Sequence, residues 1–202
     1  WDIKSVIIGA EKNYRKWLEA KINQSIEWGT FEEFMSMRKD LIQQNPALEY
    51  DLGLLRRQTI HHHLQPHIKN EIELNALIDE AYEFFLKERH KVVFYDQVVE
   101  VLESLVSRAM LGVLTNGNAN VNKLGIGHLF EFSISSVDVK SNKPDSAHFI
   151  KAKEISGIEF INTLHIGDHP INDVKGARDL GISTMWFNSQ NLTWDVDDNP
   201  PL

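Results

Sequence analysis

Thr163-Leu164-His165-Ile166-Gly167-Asp168-His169-Pro170-Ile171-Asn172-Asp173-Val174 reads as a short apolar strand, Thr163 to Ile166, that stops at Gly167-Asp168 and turns into a helix. Proline suits the first helical position, so the helix is expected to start near Pro170 to Asn172. It should run to Leu180, with Gly181 as its stop signal. Asp168 and Asp173 therefore flank one strand-to-helix turn. In an open α/β sheet such turns lie at the carboxyl ends of the strands, where ligands bind. Two carboxylates held there suit a hard cation, most simply Mg²⁺. The same residues also suit a plain helix start in which Asp and Asn serve as caps.

Working outward, the chain has 202 residues, with Lys+Arg 21 against Asp+Glu 29 and a formal net charge of −8. That length holds one large domain or two small ones. The acidic balance argues against a nucleic-acid backbone or an anionic membrane as the main partner. No apolar run is long enough to span a bilayer, and no signal peptide is evident. The absence of cysteine excludes disulfides, thiol catalysis and Cys-ligated metal, and favours a cytoplasmic location.

The two halves differ in character. Up to about residue 90 the pattern is helical throughout. Ile3, Val6, Ile7, Ala10, Tyr14, Trp17, Leu18 and Ile22 recur at helical spacing. Thr30 and Glu33 make a capping box for a second helix, which ends at Asn45-Pro46. A third helix is expected over Leu48–Leu64 and a fourth over Asn70–Lys87, together a small bundle over residues 1–90. Trp17, Trp28 and the phenylalanines are its core. Residues 91–202 alternate. A helix around Val98–Val106 leads into strands at Met110–Leu114, Phe132–Ser135, Thr163–Ile166 and Ser183–Phe187. Helices are expected between them at Asn120–Ile126, Asp145–Ser156 and Asn172–Leu180. Alternation of this kind implies an α/β fold with a parallel sheet covered on both faces.

Other polar groups fall at matching strand ends. Thr115-Asn116-Gly117 follows the Leu111–Leu114 run. A hydroxyl, an amide and a glycine that frees backbone N–H groups can cradle phosphate, and Asn-Gly is equally a common tight turn. Lys143-Pro144 places a lysine just before a helix, either as a solvated loop residue or held there for an anion.

The order Thr-Asn-Gly, then Lys-Pro, then Gly-Asp followed by Asn-Asp resembles the haloacid dehalogenase-like (HAD) hydrolase superfamily, in its capped small-molecule phosphatase branch. The resemblance covers Asp96–Phe187 directly. It implies a Rossmann-like core with an inserted helical cap, here residues 1–90. It also implies roles. Thr115, Asn116 and Gly117 would bind the phosphoryl group. Lys143 would pair with phosphate and with the nucleophile's charge. Asp168 would be a Mg²⁺ ligand, with Asp173 supporting the metal shell. The implied activity is Mg²⁺-dependent hydrolysis of a small phosphorylated metabolite, a sugar phosphate or a flavin- or nucleotide-related one, through an aspartyl-phosphate. Arg56 and Arg57 are surface arginines of the third helix or face the substrate.

The family's nucleophile motif, Asp-x-Asp-x-Thr, occurs nowhere in the 202 residues. Asp195-Val196-Asp197 lies in a polar tail after the last strand. In relatives the motif is followed by the first cap helix, as Trp1-Asp2 is here, and its strand lies in mid-sheet. The sequence is therefore expected to be a fragment without its central strand, leaving the strands that end at Thr115 and Ile166 unpaired with each other. A dehalogenase of the same superfamily is the alternative, although its fourth motif lacks the acidic pair. A phospholigand- or partner-binding protein without turnover is another. A dinucleotide-binding fold is disfavoured, since no Gly-x-Gly-x-x-Gly follows a strand. His61, His62, His63 and His67 carry no metalloprotease-like carboxylate pattern and are read as surface or interface residues. His165 is expected to point into packing and His169 to lie at the site rim.

Overall fold

The computed structural model describes residues 3–197, so Trp1-Asp2 and the last residues of the tail lie outside it. It is a mixed α/β structure whose contacts separate into two compact units. The first runs through Arg108 and includes Asn118–Leu129. It contains α1 (Ile3–Ile22), α2 (Phe31–Gln44), α3 (Leu52–Leu64), α4 (Glu71–Arg89) and α5 (Val98–Val106). Helical contacts thus continue past the division expected near residue 90.

Local signals set these helix ends. Thr30 and Glu33 form the capping box, with the Thr30 N–H donating to Glu33 Oε2 at 2.7 Å. The third helix is shorter than expected. Pro46–Glu49 forms a separate 3₁₀ turn, and Asp51 caps α3 by accepting from the Leu54 N–H at 2.8 Å. The helix expected over Asn120–Ile126 does not form. Asn120 Oδ1 accepts the Asn122 N–H at 2.9 Å, and Gly125 takes a positive φ of 78°. A side chain that bonds its own backbone in this way favours a turn over a helix. Tyr14, Leu18, Ile60, Leu64, Ala81 and Phe85 make a continuous buried core, with Trp17 and Trp28 packed against it. Each large apolar side chain buried there contributes about 1.5–3 kcal/mol.

The second unit comprises Ala109–Gly117 and the chain from Phe130. Its elements are β1 (Gly112–Thr115), β2 (Phe132–Ser135), α6 (Ser136–Val139), α7 (Ala147–Ser156), β3 (Leu164–Gly167), α8 (Gly176–Arg178) and β4 (Ser183–Trp186). β1 pairs in parallel with β2, Thr115 opposite Ser135, and β3 pairs in parallel with β4, Gly167 opposite Trp186. Phe149, Ala177 and Ile182 are buried beneath these strands. The segment after β3 is not the regular helix expected over Asn172–Leu180. Pro170–Lys175 is a π-helical turn that passes into α8. His169 is the reason: its carbonyl accepts from the N–H groups of both Asp173, at 3.0 Å, and Val174, at 3.3 Å, which widens the turn. α7 also starts later than Asp145, whose carboxylate accepts from the Ala147 N–H at 2.9 Å.

Among the described residues β1 and β3 do not pair with each other. Leu164 and Ile166, apolar residues of β3, are 53% and 52% exposed. An interior strand buries such residues, whereas these stand along an unpaired edge. A cavity of about 140 Å³, walled by Gly112, Leu114, Phe132, Phe149, Leu164 and His165 among others, lies between the two strand pairs. No described helix is long and apolar enough to cross a membrane.

Candidate active site at the carboxyl ends of β1 and β3

Thr115, Asn116, Lys143, Asp168 and Asp173 line one cleft of about 290 Å³, together with Gly167, His169 and Asn172. β1 delivers Thr115, β3 ends on Gly167, and Asp168 follows it. The loop before α7 delivers Lys143, whose bond to Pro144 is cis. Gly117 is not part of the lining. Its N–H turns back to donate to Thr115 Oγ1 at 2.9 Å.

Lys143 is not a solvated loop residue. Its side chain is 7% exposed, and its ammonium donates to Asp173 Oδ1 at 2.6 Å and to the Leu114 carbonyl at 2.8 Å. Asp173 is buried too. Its Oδ1 lies 3.5 Å from His165 Nε2, and its Oδ2 accepts from the His169 N–H at 3.0 Å. Burial alone would push the Asp173 carboxyl up. The His165 hydrogen bond, the Lys143 charge and hydrogen bond and the His169 N–H outweigh it, holding Asp173 below the usual carboxylate range. Gly167 makes room for this arrangement, because a Cβ there would lie 2.3 Å from Asp173 Cβ.

Three side chains support the cleft through contacts that the sequence did not indicate. The Asn116 side chain clamps the lysine loop: its Nδ2 donates to the Lys143 carbonyl at 2.8 Å, and its Oδ1 accepts from the Lys143 N–H at 2.7 Å. Trp186 donates from its indole to the Asp168 carbonyl at 3.0 Å. His169 caps the turn after β3, its Nδ1 accepting from the N–H groups of Ile171 and Asn172. A side chain acting across the sheet leaves no local signal, but the His-Pro pair before a turn is a capping position. His165 packs edge-on against Phe149, ring centroids 5.1 Å apart, and reaches Asp173 as well.

The donor set suits Mg²⁺ in a limited way. The Asp168 carboxylate is exposed at the cleft and is a hard oxygen ligand. Asp173 is committed to Lys143. No three His, Cys, Asp or Glu residues converge among the described residues. Mg²⁺ tolerates that economy, because it is commonly held by one or two carboxylates, water and substrate phosphate.

Away from the cleft, Arg56 pairs with Glu11 at 2.7 Å and lies over the Phe85 ring, while Arg57 pairs with Asp79 and lies over Tyr82. Both are held within the helical unit. His63 packs on Trp28, and His67 bonds Gln24 at 2.9 Å.

Comparison with known proteins agrees with this architecture. The family model for haloacid dehalogenase-like hydrolases matches residues 31–187. The chain is 27% identical over 168 residues to the Escherichia coli (strain K12) 5-amino-6-(5-phospho-D-ribitylamino)uracil phosphatase YigB, covering 81% of this chain and 71% of that protein. It is 29% identical over 129 residues to a phosphoserine phosphatase of Thermus thermophilus, covering 61% of this chain and 52% of that protein. The chain thus spans little more than half of the latter's length. Among solved structures it is similar to a 2-haloacid dehalogenase from Pseudomonas syringae pv. Tomato DC3000. That match has a TM-score of 0.90 and 34% identity, and covers 99% of this chain and 86% of that one. The magnesium-bound HAD-hydrolase YfnB of Bacillus subtilis shares the fold at a TM-score of 0.61 and 21% identity over 95% of this chain and 85% of that one. With strand ends, cleft and family match in agreement, the chain belongs to the haloacid dehalogenase-like hydrolases.

Proposed function

We propose that the protein is a Mg²⁺-dependent phosphatase of the cytoplasm that hydrolyses a small phosphorylated metabolite. The carrying observation is the cleft in which Thr115, Lys143 and Asp168 meet at the ends of two parallel strands. Thr115 and the backbone after it receive the phosphoryl oxygens. Lys143, paired with Asp173, offsets the negative charge that builds as phosphorus is attacked. Asp168 would hold Mg²⁺, which would screen the repulsion between an attacking carboxylate and phosphate.

The nucleophile is none of the described residues. We place it on a strand that pairs with the free edges of β1 and β3, as the exposure of Leu164 and Ile166 favours. Its aspartate would attack phosphorus and expel the alcohol. Water would then hydrolyse the aspartyl-phosphate. The helical unit would serve as the cap that reads the leaving group.

A dehalogenase is the second reading, favoured by the likeness to the Pseudomonas syringae structure. The exposed Asp168 carboxylate and the relationship to the E. coli phosphatase favour phosphate. The test is a Mg²⁺ activation curve for phosphate release by the natural full-length protein and its Asp168→Asn variant. The variant should need more Mg²⁺ and turn over far more slowly. Equal turnover at limiting Mg²⁺ would remove Asp168 from the site.

A further inference from the structure

His148 lies in α7 and is fully buried, 0% exposed. Its Nε2 is 3.3 Å from the Thr115 carbonyl oxygen. A carbonyl only accepts, so the proton sits on Nε2 and Nδ1 carries a bare lone pair. Nδ1 is also buried and meets no hydrogen-bond donor among the described residues. Burial holds the ring neutral, against the opposing effect of the Thr115 carbonyl.

Such a histidine is a poor choice for packing alone. A leucine would fill similar space without desolvating a lone pair, and losing one neutral hydrogen bond roughly cancels that relief. What the imidazole supplies is a tie on one particular peptide. The peptides around the cleft are tied in the same way. Lys143 bonds the Leu114 carbonyl, and Asn116 bonds both backbone groups of Lys143. Thr115 Oγ1 accepts from Gly117. The bond from His148 adds a tie on the carbonyl of Thr115 itself.

We propose that His148 is a positioning residue, which orients the end of β1 so that the Thr115 hydroxyl and the Asn116 amide face the phosphoryl group. This rests on the phosphatase reading of the cleft. A displacement of the order of 1 Å at a phosphoryl site is enough to cost a large factor in turnover.

The experiment uses the natural full-length protein with p-nitrophenyl phosphate and Mg²⁺, comparing wild type, His148→Leu and His148→Gln by kcat, KM and Tm. His148→Leu should lower kcat by about tenfold with KM changed by less than about twofold. Its Tm should stay within about 2 °C of wild type or rise. His148→Gln, whose amide nitrogen reaches about as far as Nε2, should restore most of the kcat. If His148→Leu turns over like an active wild type, the positioning role fails and the phosphatase reading stands. If His148→Leu lowers Tm by more than about 5 °C and glutamine restores nothing, His148 is a packing residue only. If wild type releases no phosphate, the phosphatase reading fails first and takes the role of His148 with it.

Discussion

Removing one charge of the buried Lys143–Asp173 pair should destabilise the protein about as much as removing both. The two side chains are 7% and 9% exposed, and the ammonium lies 2.6 Å from the carboxylate. Breaking a buried pair by neutralising one partner costs about 3–5 kcal/mol, because the other charge is left unpaired in low dielectric. Lys143→Met leaves Asp173 with the His169 N–H and the His165 ring. Asp173→Asn leaves the ammonium with the Leu114 carbonyl and an amide oxygen. These remaining partners put each single change near the lower end, about 3 kcal/mol, or a fall in Tm of about 6–12 °C for a chain of this size. The double variant carries neither charge. Its loss should also be about 3 kcal/mol rather than 6, a coupling of about 3 kcal/mol. Urea denaturation at neutral pH of wild type, both singles and the double, followed by far-UV circular dichroism, measures this. Single losses below about 1 kcal/mol, or losses that simply add, would refute the buried pair as an electrostatic unit.

Other perturbations test the neighbouring parts. Gly167→Ala would drive a Cβ to 2.3 Å from Asp173 Cβ, so β3 or the turn after it must shift. A loss of about 2 kcal/mol or more in denaturant titration is expected, together with a sharp fall in turnover. Trp186→Phe keeps a ring but loses the indole bond to the Asp168 carbonyl. Mg²⁺ binding by calorimetry should weaken about threefold to tenfold, with Tm little changed. His63 is lowered from 6.5 to about 4, first by burial and then by the charges of His62 and Arg15. The unfolded chain therefore takes up a proton that the folded one refuses. Stability from this group is full above about pH 6.5 and is lost by about 2–3 kcal/mol as pH falls toward 4. His63→Phe should flatten that window in pH-dependent melts.

The elements that form locally were legible in the sequence. The Thr30–Glu33 capping box, the helical stripe around Tyr14 and Leu18 and the apolar runs of β1 to β4 fall at or near their expected places. The turns were harder, because single side chains decide them. Asp51 splits the third helix from the preceding 3₁₀ turn, Asn120 holds its segment in a turn, and His169 widens the segment after β3. The sequence order also indicated which strand ends would carry polar groups, and these line one cleft. It could not show that Asn116 turns its side chain onto the lysine loop, or that Trp186 and His148 grip backbone carbonyls. Those contacts join residues 18 to 33 positions apart, with no periodicity to announce them.

The most direct measurement sets phosphate release against halide release in the natural full-length protein. Phosphomonoesters and 2-haloacids would be assayed side by side, with Mg²⁺ and with excess chelator. Phosphate release should require Mg²⁺ and collapse in Asp168→Asn, with no halide released. Halide release that persists in chelator, without phosphate release from any monoester, would contradict the phosphatase reading and assign the cleft to dehalogenation.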